Sequence, residues 1–116
     1  MLFRSGSPVD MFEPVVNADV RILLGNIEFH WFVGYSGGAK ALMPGVSSKR
    51  AIQYNHRRMV LPESCAGALE TNPVRMDIEA ILPFIKADYI VNVVLDEHKN
   101  IVHCVAGDVK IGRAHV

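Results

Sequence analysis

The segment Tyr89-Ile90-Val91-Asn92-Val93-Val94-Leu95 gives the clearest indication of how this chain folds. Its β-branched and apolar residues predict a strand. The polar residues 96–100 that follow predict a hairpin loop, which leads to a second strand over residues 101–105. Upstream, residues 19–25 predict a further strand, which is expected to be buried and to end at a glycine.

Helices are predicted between these strands. Ser47 and Ser48 can cap a helix over residues 49–60, because serine hydroxyls accept hydrogen bonds from the first free N–H groups of a helix. Asn72 and Pro73 can begin the next helix, with asparagine as the cap and proline at the first helical position. A helical turn is also expected within the short upstream segment that precedes the first strand, over residues 9–14.

Apolar residues recur at helical spacing after Pro73 and are expected to face the sheet. These residues are Met76, Ile78, Ile81, Leu82 and Ile85. Pro83 lies among them and predicts a kink or an early end of the helix. The order of strands and helices predicts an α/β fold, in which helices pack on a sheet as part of a mixed, layered domain.

Composition excludes several classes of protein. Twelve basic residues balance twelve acidic ones, so no overall field favours nucleic acid or an anionic membrane. The apolar runs are too short to span a bilayer. The two cysteines, Cys65 and Cys104, have no metal-like spacing and are interpreted as reduced thiols. The sequence therefore predicts a cytoplasmic protein that binds neither nucleic acid nor membrane.

The two termini have an unusual coding origin. Leu2-Phe3-Arg4-Ser5 is the translation of CTC TTC CGA TCT, and Ile111-Gly112-Arg113-Ala114-His115-Val116 is that of ATC GGA AGA GCA CAC GTC. These are the ends of a widely used sequencing adapter, read in opposite orientations. Residues 1–5 and 111–116 are therefore expected to be adapter-derived tails, and residues 6–110 the native part.

The densest run of glycines is Gly34-Tyr35-Ser36-Gly37-Gly38-Ala39-Lys40, which predicts a tight turn leading into a short helix. Adjacent glycines let backbone N–H groups approach a ligand, and a lysine there can neutralise a phosphate or act as a nucleophile. The spacing is neither that of a P-loop nor that of a dinucleotide fingerprint. On these residues alone, a phosphate-binding loop and a plain turn with a solvated lysine remain equal alternatives.

Two histidines have a candidate role. His30 follows the first predicted strand, and open α/β sheets bind ligands at the carboxyl ends of their strands. An imidazole there can act as a general base without a large pKa shift. The alternative is a residue that fills space among Phe29, Trp31 and Phe32. His56 lies on a predicted helix, where an ordinary surface position is the default interpretation.

The run Glu28-Phe29-His30-Trp31-Phe32-Val33-Gly34-Tyr35-Ser36-Gly37-Gly38-Ala39-Lys40-Ala41-Leu42-Met43-Pro44-Gly45 resembles the signature of the nickel-pincer-nucleotide-dependent lactate racemase family. In that signature Glu-Pro-His-Phe-Phe-Ala-Gly-Phe-Ser-Gly-Gly-x-Lys precedes an aliphatic pair and Pro-Gly. The resemblance continues at residues 72–74 and 106–108. It implies that residues 6–110 are an internal part of the N-terminal α/β domain, which is catalytic and carries the cofactor.

The resemblance implies roles for individual residues. His30 matches the catalytic histidine of the family, Lys40 its cofactor-bearing lysine and His56 its nickel-ligand histidine. Three residues of the loop would contact the cofactor: Ser36, Gly37 and Gly38. The chain departs from the family at Phe29, Tyr35 and Ala39, where proline, phenylalanine and a basic residue are usual. These departures leave the substrate undefined among 2-hydroxy acids.

The implied cofactors are nickel and pyridinium-3-thioamide-5-thiocarboxylic acid mononucleotide, which holds nickel as a pincer. Lys40 would carry the nucleotide as a thioamide, and His56 would complete a near-planar nickel site. The implied reaction is racemisation or epimerisation of a 2-hydroxy acid by reversible hydride transfer to the cofactor. His30 and a second histidine would exchange the hydroxyl proton, one on each face of the substrate.

Parts of such an enzyme are expected outside residues 6–110: the second catalytic histidine, the phosphate anchors and a second domain. The segment alone is therefore expected to be inactive. The expected partners are the 2-hydroxy acid and cofactor-maturation proteins. One alternative is a non-catalytic phosphate- or nucleotide-binding module, which would not need His56. Another is a sulfur-transferring enzyme, which the absence of a reactive cysteine motif disfavours.

Overall fold

The computed structural model describes residues 2–109. Five strands and three α-helices follow each other along these residues. They are α1 (Glu13–Val16), β1 (Ile22–Ile27), β2 (Phe29–His30), β3 (Gly34–Tyr35), α2 (Lys49–His56), α3 (Pro73–Glu79), β4 (Tyr89–Leu95) and β5 (Ile101–Gly107). Two 3-10 turns, Gly38–Ala41 and Arg57–Val60, also lie in this part of the chain. This is the predicted α/β class.

The main sheet has the order β1-β4-β5. Strand β1 runs parallel to β4, and Ile22 pairs with Tyr89. Strand β5 returns antiparallel to β4 through the predicted hairpin loop. Asp96 closes that loop, because its carboxylate accepts hydrogen bonds from the backbone N–H groups of His98 and Asn100, at 2.8 and 2.9 Å. The bounds of β4 are those predicted, whereas β5 extends two residues further than expected.

Strand β1 corrects one prediction. It begins three residues later than expected and continues past Gly25 to Ile27. Its side chains alternate, so that Leu23 is buried while Leu24 is 70% exposed. The strand lies at one edge of the described sheet, and one face is covered while the other is open. The prediction of a buried strand was wrong for this open face, because a run of apolar residues does not show how many faces of a sheet are covered.

Both predicted helix caps are confirmed. The Ser48 hydroxyl accepts from the backbone N–H of Ala51 at 3.1 Å. The Asn72 side chain accepts from Val74 and Arg75 at 3.0 and 3.1 Å. Such contacts replace hydrogen bonds that the first turn of a helix cannot make internally.

The helices differ from prediction in extent. Helix α2 ends at His56 and continues as the 3-10 turn, and α3 ends at Glu79, four residues before Pro83. The helical turn expected over residues 9–14 overlaps α1 only at residues 13 and 14, because the helix begins at Glu13. Met76 does not face the sheet as predicted, since it is 56% exposed. Met76 lies between buried residues of a short helix, where successive side chains point in directions about 100° apart, so a neighbour of a buried residue can face outward.

The core lies between the covered face of the sheet and the helices. Leu23 and Ile90 provide it from adjacent strands, and Val74, Ile78 and Ile81 from α3 and the turn that follows. Partners across β1 and β4 stand in register, so Leu23 and Ile90 present one continuous apolar surface to α3. This packing places the connection between β1 and β4 on the covered face, where the candidate site lies.

The amino-terminal residues also pack on the helices. Phe3 is buried and meets Phe84 edge-on at 5.7 Å, and the Ser5 hydroxyl donates to Asp77. The adapter origin of residues 1–5 stays a prediction, and residues 111–116 lie outside the described part. Among residues 2–109, no helix is both long and apolar enough to span a membrane.

Candidate active site

His30 lies in a small hairpin next to the main sheet. Strands β2 and β3 pair Phe29 with Tyr35 and His30 with Gly34. The histidine was predicted at the end of a sheet strand, but it belongs to this separate hairpin, which follows β1 after one residue. Gly34 has a φ of 91°, and a Cβ there would lie 2.0 Å from the carbonyl oxygen of Ala68. Only glycine therefore fits the position opposite His30.

Phe32 lies between the two candidate histidines. Its ring meets the His30 imidazole edge-on at a centroid distance of 4.6 Å and the His56 imidazole at 5.2 Å. Phe32 is buried, and its backbone carbonyl accepts a hydrogen bond from the Asn72 side chain at 3.0 Å. The structure thus brings together His30 on the hairpin and His56 on α2, through a side chain fixed by the cap of α3.

The alternative role of His30 as a space-filling residue can be compared with this packing. Of the three neighbouring aromatic residues, Phe32 contacts the imidazole, whereas Phe29 and Trp31 are largely exposed. Phe29 instead packs on Tyr35 at 5.0 Å, so two departures from the family signature form one cross-strand pair. The His30 imidazole is partly exposed, and Phe32 is the one aromatic ring among the described residues that packs against it.

Hydrogen bonding and charge favour the neutral form of His30. The backbone N–H of Val33 donates to Nδ1 at 3.3 Å, so in this tautomer the ring proton lies on Nε2. Burial lowers the pKa of His30, and the positive charges of Lys40 and His56 lower it further, against an opposing effect of Glu28. In this tautomer a neutral imidazole can donate a proton from Nε2, and it can accept one there only after its ring proton has moved to Nδ1.

Lys40 lies within the 3-10 turn Gly38–Ala41 and is partly buried. Burial lowers the pKa of its amine, and so does the guanidinium of Arg75, while Glu28 opposes them. A lysine with a lowered pKa holds more of the neutral, nucleophilic amine. The predicted short helix is only this four-residue turn, which is too short for a helix dipole alone to hold a phosphate.

His56 is the last residue of α2. Burial lowers its pKa and the charge of Lys40 lowers it further, so the imidazole favours the neutral form that binds metals. The preceding residue, Asn55, is fully buried and donates to the carbonyl of Val74 at 3.0 Å and to Asp77 at 3.2 Å. These bonds fix the end of α2 against α3 and with it the position of His56.

The three loop residues predicted to contact the cofactor lie in different surroundings. The Ser36 hydroxyl donates to the carbonyl of Asn26 at 2.7 Å and accepts from the N–H of Glu28 at 3.0 Å, which joins the loop to β1. Gly37 has a φ of 81°, and a Cβ there would lie 3.1 Å from the Asn92 amide nitrogen. Both residues are thus engaged with the sheet, whereas the Cβ direction of Gly38 is more open.

Gly38 has a φ of 60°, and a Cβ there would meet the Arg75 guanidinium at 3.5 Å as its nearest neighbour. That spacing is ordinary van der Waals contact, and Gly38 itself is buried. The prediction for Ser36, Gly37 and Gly38 as cofactor contacts stays a prediction.

Three residues near this loop were not predicted from the sequence to belong to the site. Arg75 was hidden in the apolar stripe of α3, although a charged residue between Val74 and Ile78 was a signal that something charged is buried there. Glu28, which acts on both His30 and Lys40, was visible only as part of the family signature. Asn92, a lone polar residue in the strongest strand, is 1% exposed.

Asn92 lies under the glycine loop. A Cβ at Gly25 would approach its side-chain oxygen to 3.2 Å, and one at Gly37 its nitrogen to 3.1 Å. Within residues 2–109 neither of these atoms has a hydrogen-bond partner. Two glycines, one in β1 and one in the loop, therefore allow the loop to lie directly on the sheet over this carboxamide.

The donors present can be compared with the needs of a metal. Residues 2–109 contain no group of three or more His, Cys, Asp or Glu side chains placed to hold a metal ion. The site instead offers one imidazole, His56, close to a partly buried lysine. A single imidazole fits a metal that arrives with most of its ligands supplied by a small molecule. Both cysteines, by contrast, are exposed free thiols.

Comparison with known proteins gives one family. Residues 3–67 match the family model described as the lactate racemase N-terminal domain. A lactate racemase of Lactiplantibacillus plantarum is 36% identical over 108 residues, which are 91% of this chain and 26% of that protein. A lactate racemase of Thermoanaerobacterium thermosaccharolyticum is 35% identical over 105 residues, or 89% of this chain and 25% of that protein.

Solved structures agree. The lactate racemase apoprotein from T. thermosaccharolyticum superimposes with a TM-score of 0.93 at 32% identity, over 99% of this chain and 28% of that one. A crystal structure of a Thermotoga maritima protein matches with a TM-score of 0.70 at 23% identity, over 90% and 27% of the two chains, and shows the shared fold. The chain spans about a quarter of the length of the curated relatives it matches.

Proposed function

The chain belongs to the lactate racemase family, and we propose that it is the cofactor-attaching part of an enzyme that racemises or epimerises a 2-hydroxy acid. The observation that carries the proposal is the meeting of Lys40, His30 and His56 at one place. The two imidazoles share Phe32 as a neighbour, and the charge of Lys40 acts on both of them. These are the three positions to which the family resemblance assigns chemistry.

The proposal includes nickel carried by a pyridinium mononucleotide with two sulfur-bearing arms. Lys40 would hold this nucleotide through its amine, and His56 would give nickel its protein ligand. When bound, the group would supply a reversible acceptor for the hydride of the substrate's C2 carbon. The lowered pKa values of Lys40 and His56 support these roles, because bond formation needs a neutral amine and metal binding needs a neutral imidazole.

His30 would exchange the hydroxyl proton of the substrate at Nε2. The ring would receive this proton when the hydroxy acid is oxidised and return it when the keto acid is reduced. Receiving it requires Nδ1 to carry the ring proton, so the Val33 N–H must release Nδ1. The Val33 bond is long, at 3.3 Å, and therefore weak enough to yield. A second histidine, from the remainder of the protein, would serve the other face.

The test uses the full-length protein from the complete gene, matured together with the cofactor-maturation proteins, which are its proposed partners. Lys40→Ala should abolish a covalent adduct that intact-protein mass spectrometry detects in the wild type. Lys49→Ala is the matched control, because Lys49 is exposed on the first turn of α2. A persistent adduct in Lys40→Ala would contradict the proposal, as would adduct formation without interconversion of any 2-hydroxy acid.

A further inference from the structure

Arg75 is a buried cation in a place where the proposed chemistry has no role for one. It is 4% exposed, on the face of α3 that packs toward the glycine loop. A buried arginine is costly unless its donors are satisfied. Its Nε donates to Glu79 at 2.9 Å, one helical turn along, and its Nη1 donates to the carbonyl of Tyr35 at 3.0 Å.

These two bonds fix the plane of the guanidinium and aim its third nitrogen at the loop. Nη2 lies 3.5 Å from the position that a Cβ would take at Gly38, two residues before Lys40. The hydrogen bond to Tyr35 fixes the start of the loop, while Nη2 lies beside the loop at Gly38. The guanidinium therefore binds the loop at Tyr35 and lies beside it at Gly38, two residues before Lys40.

We propose that Arg75 is a positioning residue for Lys40: its guanidinium fixes the glycine loop and stands as a second cation near the amine. The inference rests on the proposed function, in which Lys40 is the attachment residue. An amine bonds to carbon only in its neutral form, and a neighbouring permanent cation disfavours the protonated form. Arginine suits this task, because it stays charged at any pH the protein meets.

The other charged groups around Lys40 determine the sign of this effect. Glu28, at the end of β1, acts in the opposite direction to Arg75 on the pKa of the amine. The charge of Lys40 in turn lowers the pKa values of His30 and His56. Glu79 partly neutralises Arg75 from within α3. Removal of Arg75 should thus favour protonated Lys40, and removal of the Glu79 charge should favour the neutral amine.

The experiment measures the titration of Lys40 in the full-length apoprotein, without cofactor. Trace acetic anhydride labels neutral amines, and peptide mass spectrometry compares Lys40 with exposed Lys49 at each pH. In Arg75→Gln the midpoint for Lys40 should move to higher pH, and hydrogen–deuterium exchange of residues 35–41 should become faster. Arg57→Gln is the matched control, since Arg57 is exposed and stacks on Tyr54.

Two further variants keep the inference falsifiable if Arg75→Gln does not fold. Arg75→Lys retains the cation but cannot reach Glu79 and Tyr35 in one plane, so exchange should be faster while the midpoint stays near that of the wild type. Glu79→Gln should move the midpoint to lower pH. Equal midpoint shifts in Arg75→Gln and Arg75→Lys, a wild-type midpoint in folded Arg75→Gln, or a higher midpoint in Glu79→Gln would each overturn it.

Failure of this inference can be told apart from failure of the proposed function. The titration of Lys40 requires no cofactor and no turnover. If Lys40→Ala still acquires the adduct, the proposed function fails, whatever the titration shows. If Lys40 is the attachment residue but its titration midpoint is the same in Arg75→Gln as in the wild type, only the positioning role of Arg75 is refuted.

Discussion

His30 and His56 lie edge-on against the same phenylalanine, with centroid distances of 4.6 and 5.2 Å from Phe32. The two imidazoles come from different elements, a hairpin and the end of a helix, and Phe32 fixes their separation. Since Phe32 is buried and its carbonyl is bound by the cap of α3, this separation is a property of the fold rather than of flexible surface side chains. The roles of the two histidines can be separated by substitution.

His30→Asn in the full-length enzyme should retain nickel and the lysyl adduct but lose turnover. A positioned proton-transfer group contributes on the order of a hundred- to ten-thousand-fold in rate. Metal content, adduct mass, melting temperature and turnover should be measured on one preparation. His98→Asn is the control, because His98 is exposed in the β4–β5 loop. A folded, nickel-loaded His30→Asn enzyme with nearly normal turnover would return His30 to a packing role.

His56→Ala should show the complementary result. The adduct on Lys40 should remain, because the attachment does not use the imidazole, while nickel content should fall, because the protein's own metal ligand is lost. Elemental analysis beside intact-protein mass spectrometry measures both quantities. His98→Ala should match the wild type in each. Nickel at wild-type stoichiometry in His56→Ala would leave His56 as an ordinary residue at the end of α2.

Charge coupling between Lys40 and His30 predicts a pH effect. Burial and then Lys40 lower the pKa of His30, so its imidazole stays neutral to a pH below its ordinary value of about 6.5. Lys40→Met removes the cation and should raise the pKa of His30 toward that value. NMR titration of the imidazole in the full-length apoprotein measures the change. Lys49→Met should leave the titration as it is, and an unchanged or lower pKa in Lys40→Met would refute the coupling.

The sign of this coupling extends to stability. Because the folded pKa of His30 is lowered, the unfolded chain binds its proton more readily as the pH falls through the ordinary value. His30 should therefore destabilise the folded protein in acid and have no effect well above that value. The Lys40→Met variant should lose less stability than the wild type over this acidic range, which denaturant unfolding at several pH values can measure.

Gly34→Ala should destabilise the fold more than Gly67→Ala does. Both glycines have positive φ, at 91° and 81°, so each alanine pays a backbone cost of about 1–2 kcal/mol. At Gly67 a Cβ finds ordinary contacts beyond 3.8 Å, whereas at Gly34 it meets the Ala68 carbonyl at 2.0 Å. Denaturant unfolding of both full-length variants provides the comparison. Equal losses of stability would mean that the hairpin bearing His30 can shift freely.

Local chemistry made parts of this structure predictable. Ser48 and Asn72 cap the helices they were expected to cap, because the hydrogen bond each makes reaches only two or three residues along the chain. The bounds of β4 followed from its own composition. The open face of β1 and the exposure of Met76 could not be predicted in this way, because both depend on which elements lie across from them.

The candidate site was likewise predictable only in part from the sequence. Lys40 and the histidines were found by resemblance, which compares residues along the sequence. Phe32 as the contact of both imidazoles depends on the packing of the β2–β3 hairpin against α2, and nothing local to Phe32 indicates it. Arg75 was passed over for the same reason: its partner Tyr35 lies forty residues away (75 − 35), on a loop whose position follows from the sheet.

The parallel pairing of β1 with β4 determines at which stage of folding the candidate site forms. His30, Lys40, His56 and Arg75 all lie in the crossover between these strands, and the ladder joins residues 67 positions apart, such as Ile22 and Tyr89 (89 − 22). Such distant pairs form late, since the chain loses loop entropy before their contacts are gained. Before closure Lys40 is an ordinary solvated amine. Under the proposed function, the cofactor would therefore be attached to Lys40 in a chain that has already folded.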